Sequence, residues 1–377
     1  MNFSVAVEQG KKCELLLYKA GGKSPFWNIE MKEEPNHGML RAIQVEGLKP
    51  EEWEYNFRID GAECLDPYVR AVSGKKSWGE PLEEGKVPRG RIVVDDYDWE
   101  GDAPLQISYE EVVAYSLHVR GFTKHSSSKV KNKGTFSGVV EKIPYMRHLG
   151  INQIHLMPIY EFEENGKYKN YWGYGEAYWF APKAAYAKSH DQVKELKDMV
   201  KSCHRSGIEV ILNLPFTAEV SHSNIVECIH YYMLEFHVDG FIVNPYCAPF
   251  EELRKDPLLS NTKILRQKDD FQDIMRRFLK GDEGMIDGVM WWLRHTTGKD
   301  GVFNYITSHT GFTLNDLVSY DRKHNELNGE KNQDGPDYNY SWNCGAEGPS
   351  RKKAVVELRK NQIKNACMLL LFAQGMP

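Results

Sequence analysis

Short apolar runs broken by turn residues fill the first part of the chain: CELLLYKA, GMLRAIQVEGL and EWEYNFRIDG follow one another with Gly, Pro, Asn and Asp between them. Such runs predict strands, and strands in succession without helices predict an all-β module, a sandwich over residues 1–105. From about residue 109 the rhythm changes to strand-like apolar runs alternating with amphipathic helical stretches, as a parallel α/β fold requires. The strand candidates are AYSLHV (114–119), INQIHLMPI (151–159), EVILNL (209–214), GFIV (240–243), TKIL (262–265) and VFNYITSH (302–309). Between them, DQVKELKDMVKSCHRSG carries Val193, Leu196 and Val200 three and four apart and ends at Gly207, the pattern of one apolar helix face with a glycine stop. The second domain, residues 106–377, is therefore expected to be a (β/α)₈-type barrel, and the fold class is α/β.

In such a barrel the chemistry sits where the strands end. Those ends carry His118 and Arg120, Pro158, Asn213, Asn244 with Pro245, and His309 with Thr310. They are polar but poor in carboxylates.

Composition narrows the function classes. With 41% hydrophobic and 27% charged residues and nine tryptophans in 377, the chain is a folded protein, not a disordered one. A net charge of −5 gives no long-range attraction for nucleic acid or anionic lipid. The one basic stretch, Lys124 to Lys133 with its three serines, reads as a solvated loop. Seven scattered cysteines without close pairs suit reduced thiols in a cytoplasm and match no zinc or redox motif. His222, Cys228, His230 and His237 fall in one helical region at spacings unlike a metal site, so neither a metal nor a cofactor is implied. The longest apolar run, Ala366 to Ala373, is too short to span a bilayer, and the N-terminus has no leader-like pattern, so no membrane association is expected.

Three longer stretches carry a resemblance. They are YSLHVRGFTKH with GTFSGVVEKIPYMRHLGINQIHLMPIYEF, then NYWGYGEAYWFAPKAAYA, then ITSHTGFTLNDLVSYDRKHNELNGEKNQDGPDYNYSWNCGAEGP. Together they resemble the glycogen-debranching, isoamylase-type branch of the α-amylase family, glycoside hydrolase family 13. LDPYVRAVSG is similar to that family's junction between a glycogen-binding-type sandwich, a carbohydrate-binding-module-like domain, and the barrel. The resemblance implies carbohydrate metabolism and an α-glucan ligand: glycogen, amylopectin or a branched maltooligosaccharide.

Retaining glycosidases of this kind need two carboxyl groups roughly 5 Å apart, a nucleophile and an acid/base. The family's strand-four motif, written GFRxD, is here Gly240, Phe241, Ile242, Val243, Asn244, with an amide where the nucleophile should stand. The acid/base segment after strand five, KLIAEPWD-like in the family, is replaced by KILRQKDDF. The strand-seven His-Asp becomes His309 followed by Thr310, and the strand-three Asp becomes Asn213. No catalytic residue is therefore expected, Asn213, Asn244 and Thr310 being degenerate positions. Tyr174 and Trp172 of the WGY motif and His309 match sugar-facing residues, and Trp27 and Trp53 could serve as glucan platforms in the sandwich. The expected protein is a catalytically inactive α-glucan binder. One alternative is a hydrolase cleaving α-1,6 branches with Asp269 or Asp270 as a replacement acid. The family continues past LLLFAQGMP into strand eight and a C-terminal β-domain, so an incomplete barrel is expected, with a protein partner completing it or the sequence being a gene fragment.

Overall fold

The computed structural model describes residues 1–75, 77–81, 87–166, 168–189, 191–296 and 301–377. It forms two compact units, Met1–Gln106 with Tyr115–Lys263, and Ile107–Ala114 with Ile264–Pro377.

The first unit opens with eight strands: β1 (Asn2–Ala6), β2 (Cys13–Lys19), β3 (Trp27–Glu30), β4 (Leu40–Gln44), β5 (Trp53–Ile59), β6 (Ala62–Cys64), β7 (Val72–Ser73) and β8 (Arg89–Arg91). One antiparallel sheet pairs β1 with β4, and a second runs β3-β2-β5-β8-β7 with β6 on β5. Alternation decides the packing: Phe3 and Val5 of β1 and Leu15 and Leu17 of β2 point the same way along their strands and meet Tyr55 and Phe57 of β5 in one core. Two sheets closed over a shared apolar layer make the expected sandwich.

From Ala114 to Leu265 the chain is α/β. Strands β9 (Ala114–Leu117), β10 (Gln153–Leu156), β13 (Glu209–Leu214), β14 (Gly240–Val243) and β15 (Lys263–Leu265) line up in that order, while β11 (Tyr160–Phe162) and β12 (Ala177–Pro182) form a separate antiparallel ribbon. β10, β13 and β14 pair in parallel, with Ile154 beside Val210 and Leu212 beside Phe241. Gly240 is required where it stands, because a Cβ there would lie 2.3 Å from the Lys263 carbonyl oxygen. The crossovers are α1 (Val119–Lys124), α2 (Phe136–Glu141), α3 (Ile143–His148), α4 (Gln192–Arg205), α5 (His222–Phe236) and α6 (Phe250–Lys255). α4 follows its sequence signals: the Lys194 N–H donates to the Asp191 carboxylate at 3.2 Å, Val193, Leu196 and Val200 are buried, and Gly207 stops it at φ +70°.

The second unit contains α7 (Asp270–Lys280), α8 (Ile286–Arg294), α9 (Leu314–Leu317) and α10 (Lys353–Phe372) around Phe271, Met275, Val289, Trp292, Ile306 and Ala366. The strand expected at 302–309 does not form. Val302 bridges Arg266 and Phe303 bridges Met376, one residue on each side, and then Asn304, Tyr305 and Ile306 are buried in succession, which an alternating strand cannot do. The Ala114 N–H donates to the Pro377 carbonyl at 2.9 Å. Among the described residues, five paired strands with single-residue bridges beyond them constitute an incomplete barrel of the (β/α)₈ type. Among the described residues no helix is long and apolar enough to cross a membrane.

Candidate functional site

In the first unit the chain leaves β9 at His118, which caps α1. The Gly121 N–H donates to its Nδ1 at 3.0 Å, so the ring proton sits on Nε2, which faces the Tyr171 carbonyl at 2.9 Å and the Tyr186 hydroxyl at 3.1 Å. Burial pushes the imidazole down to about 4, and it is neutral at physiological pH. Tyr171 stacks on it at 4.5 Å and 14°, and Trp172 meets it edge-on at 5.8 Å. Both ring nitrogens are committed, so His118 is a fixed post for the aromatic loop.

That loop follows β11. Gly173, at φ +85°, has no room for a side chain, since a Cβ would lie 2.5 Å from the Phe162 ring. Its carbonyl accepts the Tyr160 hydroxyl at 2.8 Å and its N–H donates to Asn170 at 2.9 Å. These contacts set the direction of Tyr174, which is half-buried with its hydroxyl hydrogen-bonded to Asn213. Burial pushes the phenol up to about 12 against the smaller opposing pull of that bond. Two of the sequence-selected positions, Tyr174 and Asn213, are thus brought together, and Trp172 lies beside them with 36% of its surface exposed. Trp179 packs on Tyr160 and Phe216, and Phe180 on Tyr68 and Tyr231. Beneath the loop, the fully buried Lys183 pairs with Glu161 at 3.1 Å and Glu164 at 3.0 Å, and Lys75 reaches Glu163 at 2.7 Å.

β14 ends differently. Asn244 is exposed; its Oδ1 accepts the Tyr246 N–H at 3.0 Å, its Nδ2 lies 3.5 Å from the Cys247 sulfur, and its carbonyl takes the Ala248 N–H. The side chain closes a tight turn. The described ends of β9, β10, β13 and β14 present no carboxylate.

In the second unit, burial holds the half-buried His309 imidazole below its ordinary value. Thr310 is exposed and shares its hydroxyl with Ser308 at 3.0 Å. Asp269 stands at the start of α7 without capping it, and accepts the Tyr305 hydroxyl instead. Burial, followed by the neighbouring charge of Asp269, raises the Asp273 carboxyl above the usual range. The segment 319–348 is knitted by its own polar residues: Asp321 accepts both the N–H and Nδ2 of Asn343, at 2.8 and 2.6 Å, and Glu347 accepts from His324 at 3.0 Å. Its asparagines and acids therefore hold loop shape.

Sequence reasoning missed the lock on His118, the turn made by Asn244, and a buried group in the first unit in which His204 bridges Asp102 (2.9 Å) and Asp239 (2.8 Å). The order Asn-Pro-Tyr-Cys at 244–247 was a turn signal; the Asp102–His204–Asp239 contacts, far apart in sequence, left none. In the sandwich Trp27 stacks on Trp53 at 5.0 Å and 17°; Trp53 is buried, whereas Trp27 and Phe26 are 45% and 58% exposed. The helical histidines find carboxylates, His230 with Asp256 and His237 with Asp102, and the described residues contain no cluster able to hold a metal ion.

Residues 120–240 match the family model for the catalytic domain of alpha amylase. Isoamylase SU1, chloroplastic, of Zea mays is 30% identical over 478 aligned positions, which take in 93% of this chain and 60% of that protein. The alignment is longer than the 377-residue chain, so it contains gaps on this side. The chain spans about three fifths of the length of the plant isoamylases it matches. A glycogen operon protein GlgX homolog of Mycobacterium tuberculosis is 27% identical over all of this chain and 70% of its own length. Apo pullulanase from Paenibacillus barengoltzii superposes with a TM-score of 0.73 at 18% identity, over 100% of this chain and 70% of that one, a likeness of fold.

Proposed function

We propose, on the premise that this chain belongs to the isoamylase-type branch of the α-amylase family, that it binds α-glucans of the glycogen or amylopectin class without hydrolysing them. The observation that carries this reading is the end of β14, where the nucleophile's place in the resemblance is held by Asn244, an amide engaged in a turn and unable to form a glycosyl ester. Asn213 stands on Tyr174, and Thr310 offers no carboxylate. Removing one central catalytic group alone commonly costs on the order of 10⁴–10⁶ in rate. Tyr174 and Trp172 offer ring faces and polar rims of the kind that receive a pyranose. Exposed Trp27 and Phe26 offer a second such surface in the sandwich, and His309 a hydroxyl-binding imidazole in the second unit. Related structures carry maltotetraose and maltose.

Affinity electrophoresis in amylopectin gels tests the binding: retarded migration is expected, relieved by Tyr174→Ala, and unretarded migration of the wild-type chain would end the reading. A second reading, an active α-1,6 hydrolase with Asp269 or Asp270 as replacement acid, is favoured by the acidic group at the start of α7, where burial and then the charge of Asp269 keep the Asp273 carboxyl protonated to higher pH, as an acid catalyst requires. Reducing-sugar release from amylopectin that disappears in Asp269→Asn would establish it. A partner chain is supported by the apolar side chains of Ile286, Trp291, Leu371 and Phe372 that remain 46% or more exposed. Light scattering that finds only monomer at high concentration, with or without co-expressed neighbours, would remove the partner.

A further inference from the structure

The basic stretch that reads as a solvated loop in sequence closes, in the first unit, a cavity of about 380 Å³ beside Trp78. Arg120, Lys124, Lys131, Lys133 and Lys188 line it, and among the described residues no acidic side chain does. Among the described residues none of these five cations has a carboxylate partner. Glu141 accepts the backbone N–H groups of Lys131 and Asn132 at 2.7 and 2.9 Å, and the Lys131 charge adds only a minor pull on its carboxylate.

The cations are also placed. Arg120 and Lys124 lie one turn apart on α1, where like charges repel. Their stems pack over Gly134, whose missing Cβ would stand 3.2 Å from Arg120 Cγ and 3.5 Å from Lys124 Cδ. The Arg120 guanidinium rests 4.3 Å from the centre of the Trp78 ring. Two buried polar atoms of the lining have no hydrogen-bond partner, the Trp78 Nε1–H donor and the Asn132 Oδ1 acceptor. A buried donor and acceptor left open in a native fold point to a ligand that supplies the complement. A hydroxyl does so, and a dianion answers the unpaired cations. The volume falls within the range of small-molecule sites.

We propose that this cavity binds a phosphate monoester of a sugar, free or carried on a glucan chain. The lining shares no residue with the glucan surface at Tyr174 and Trp172, although Trp78 meets Tyr171 of that loop edge-on at 5.6 Å, and the proposal does not depend on glucan binding there. The five cations hold the ester oxygens; Trp78 and Asn132 hold a sugar hydroxyl.

Isothermal titration of the full chain at low ionic strength, with glucose 6-phosphate, inorganic phosphate and glucose as separate probes, tests it. Glucose 6-phosphate is expected to bind at least tenfold more tightly than inorganic phosphate, with glucose silent. Lys124→Ala with Lys188→Ala should weaken glucose 6-phosphate at least tenfold, leaving the melting temperature and neutral amylopectin binding unchanged. Greater retardation by phosphate-bearing amylopectin than by its phosphatase-treated form assigns the ester to the polymer; equal retardation assigns it to the free sugar. No binding of glucose 6-phosphate, equal affinity for inorganic phosphate, or indifference of the double variant would overturn the proposal.

Discussion

The loop that follows β11 and the turn that follows β14 lie in the same unit and are built by opposite means. Around Tyr174 each residue is tied to several others: His118 to three partners, Gly173 to Tyr160 and Asn170, and Lys183 to two carboxylates below. Around Asn244 the contacts are local, within four residues. Residues that hold a loop together are kept by folding itself. The side chain at 244 has no such anchor, and its turn accepts an amide or an acid equally.

The comparison breaks first at Lys183. Lys183→Ala leaves Glu161 and Glu164 buried without their cation and should destabilise the chain by about 3–5 kcal/mol. Urea denaturation measures it, and a loss under 1 kcal/mol would mean that the loop stands without its ionic base. Gly173→Ala forces a Cβ against Phe162 and should cost about 1–3 kcal/mol, read by the same titration.

Acid sharpens the contrast. His118 titrates near 4 when folded and at 6.5 when unfolded, so between those values the unfolded chain holds the extra proton. Stability therefore falls as pH is lowered through that window, by up to about 1.4 kcal/mol per unit. His204 has the opposite sign: burial opposes its charge, but Asp239 and Asp102 outweigh burial and raise it above 6.5. Its contribution is complete below 6.5 and is lost as pH rises through the folded value. Thermal melts across pH 4–9 should show the acid loss shrink in His118→Asn, the buried His155 keeping its own share, and the alkaline loss shrink in His204→Gln.

Smaller effects follow. Tyr174→Phe removes the bond to Asn213 and should cost about 0.5–1.5 kcal/mol, checked by thermal melting beside the amylopectin gel. Asn244→Asp should stay within about 0.5 kcal/mol of the wild type and release no reducing sugar from amylopectin. Sugar release would show that this one position limits the chemistry.

Much of the fold was legible in the sequence. EVILNL and GFIV are strands over the expected residues, and α4 runs between its aspartate cap and glycine stop, because each segment's local preference agrees with its packing. VFNYITSH failed because its neighbours offer one residue each to pair with, and consecutive burial of Asn304 to Ile306 replaces alternation. The site was legible as residue types at strand ends. Its geometry was not, since the partners of His118 Nε2, Tyr171 and Tyr186, and the bond from Tyr174 to Asn213 join residues tens of positions apart.

The turn at Asn244 has a practical meaning for anyone building activity into this scaffold. Since its Oδ1 serves the Tyr246 N–H as an aspartate's would, position 244 can exchange amide for acid without a folding penalty, and selection for stability does not distinguish the two. On the proposed reading, a library aimed at hydrolysis fixes aspartate there from the outset and reserves its diversity for the segment after Leu265.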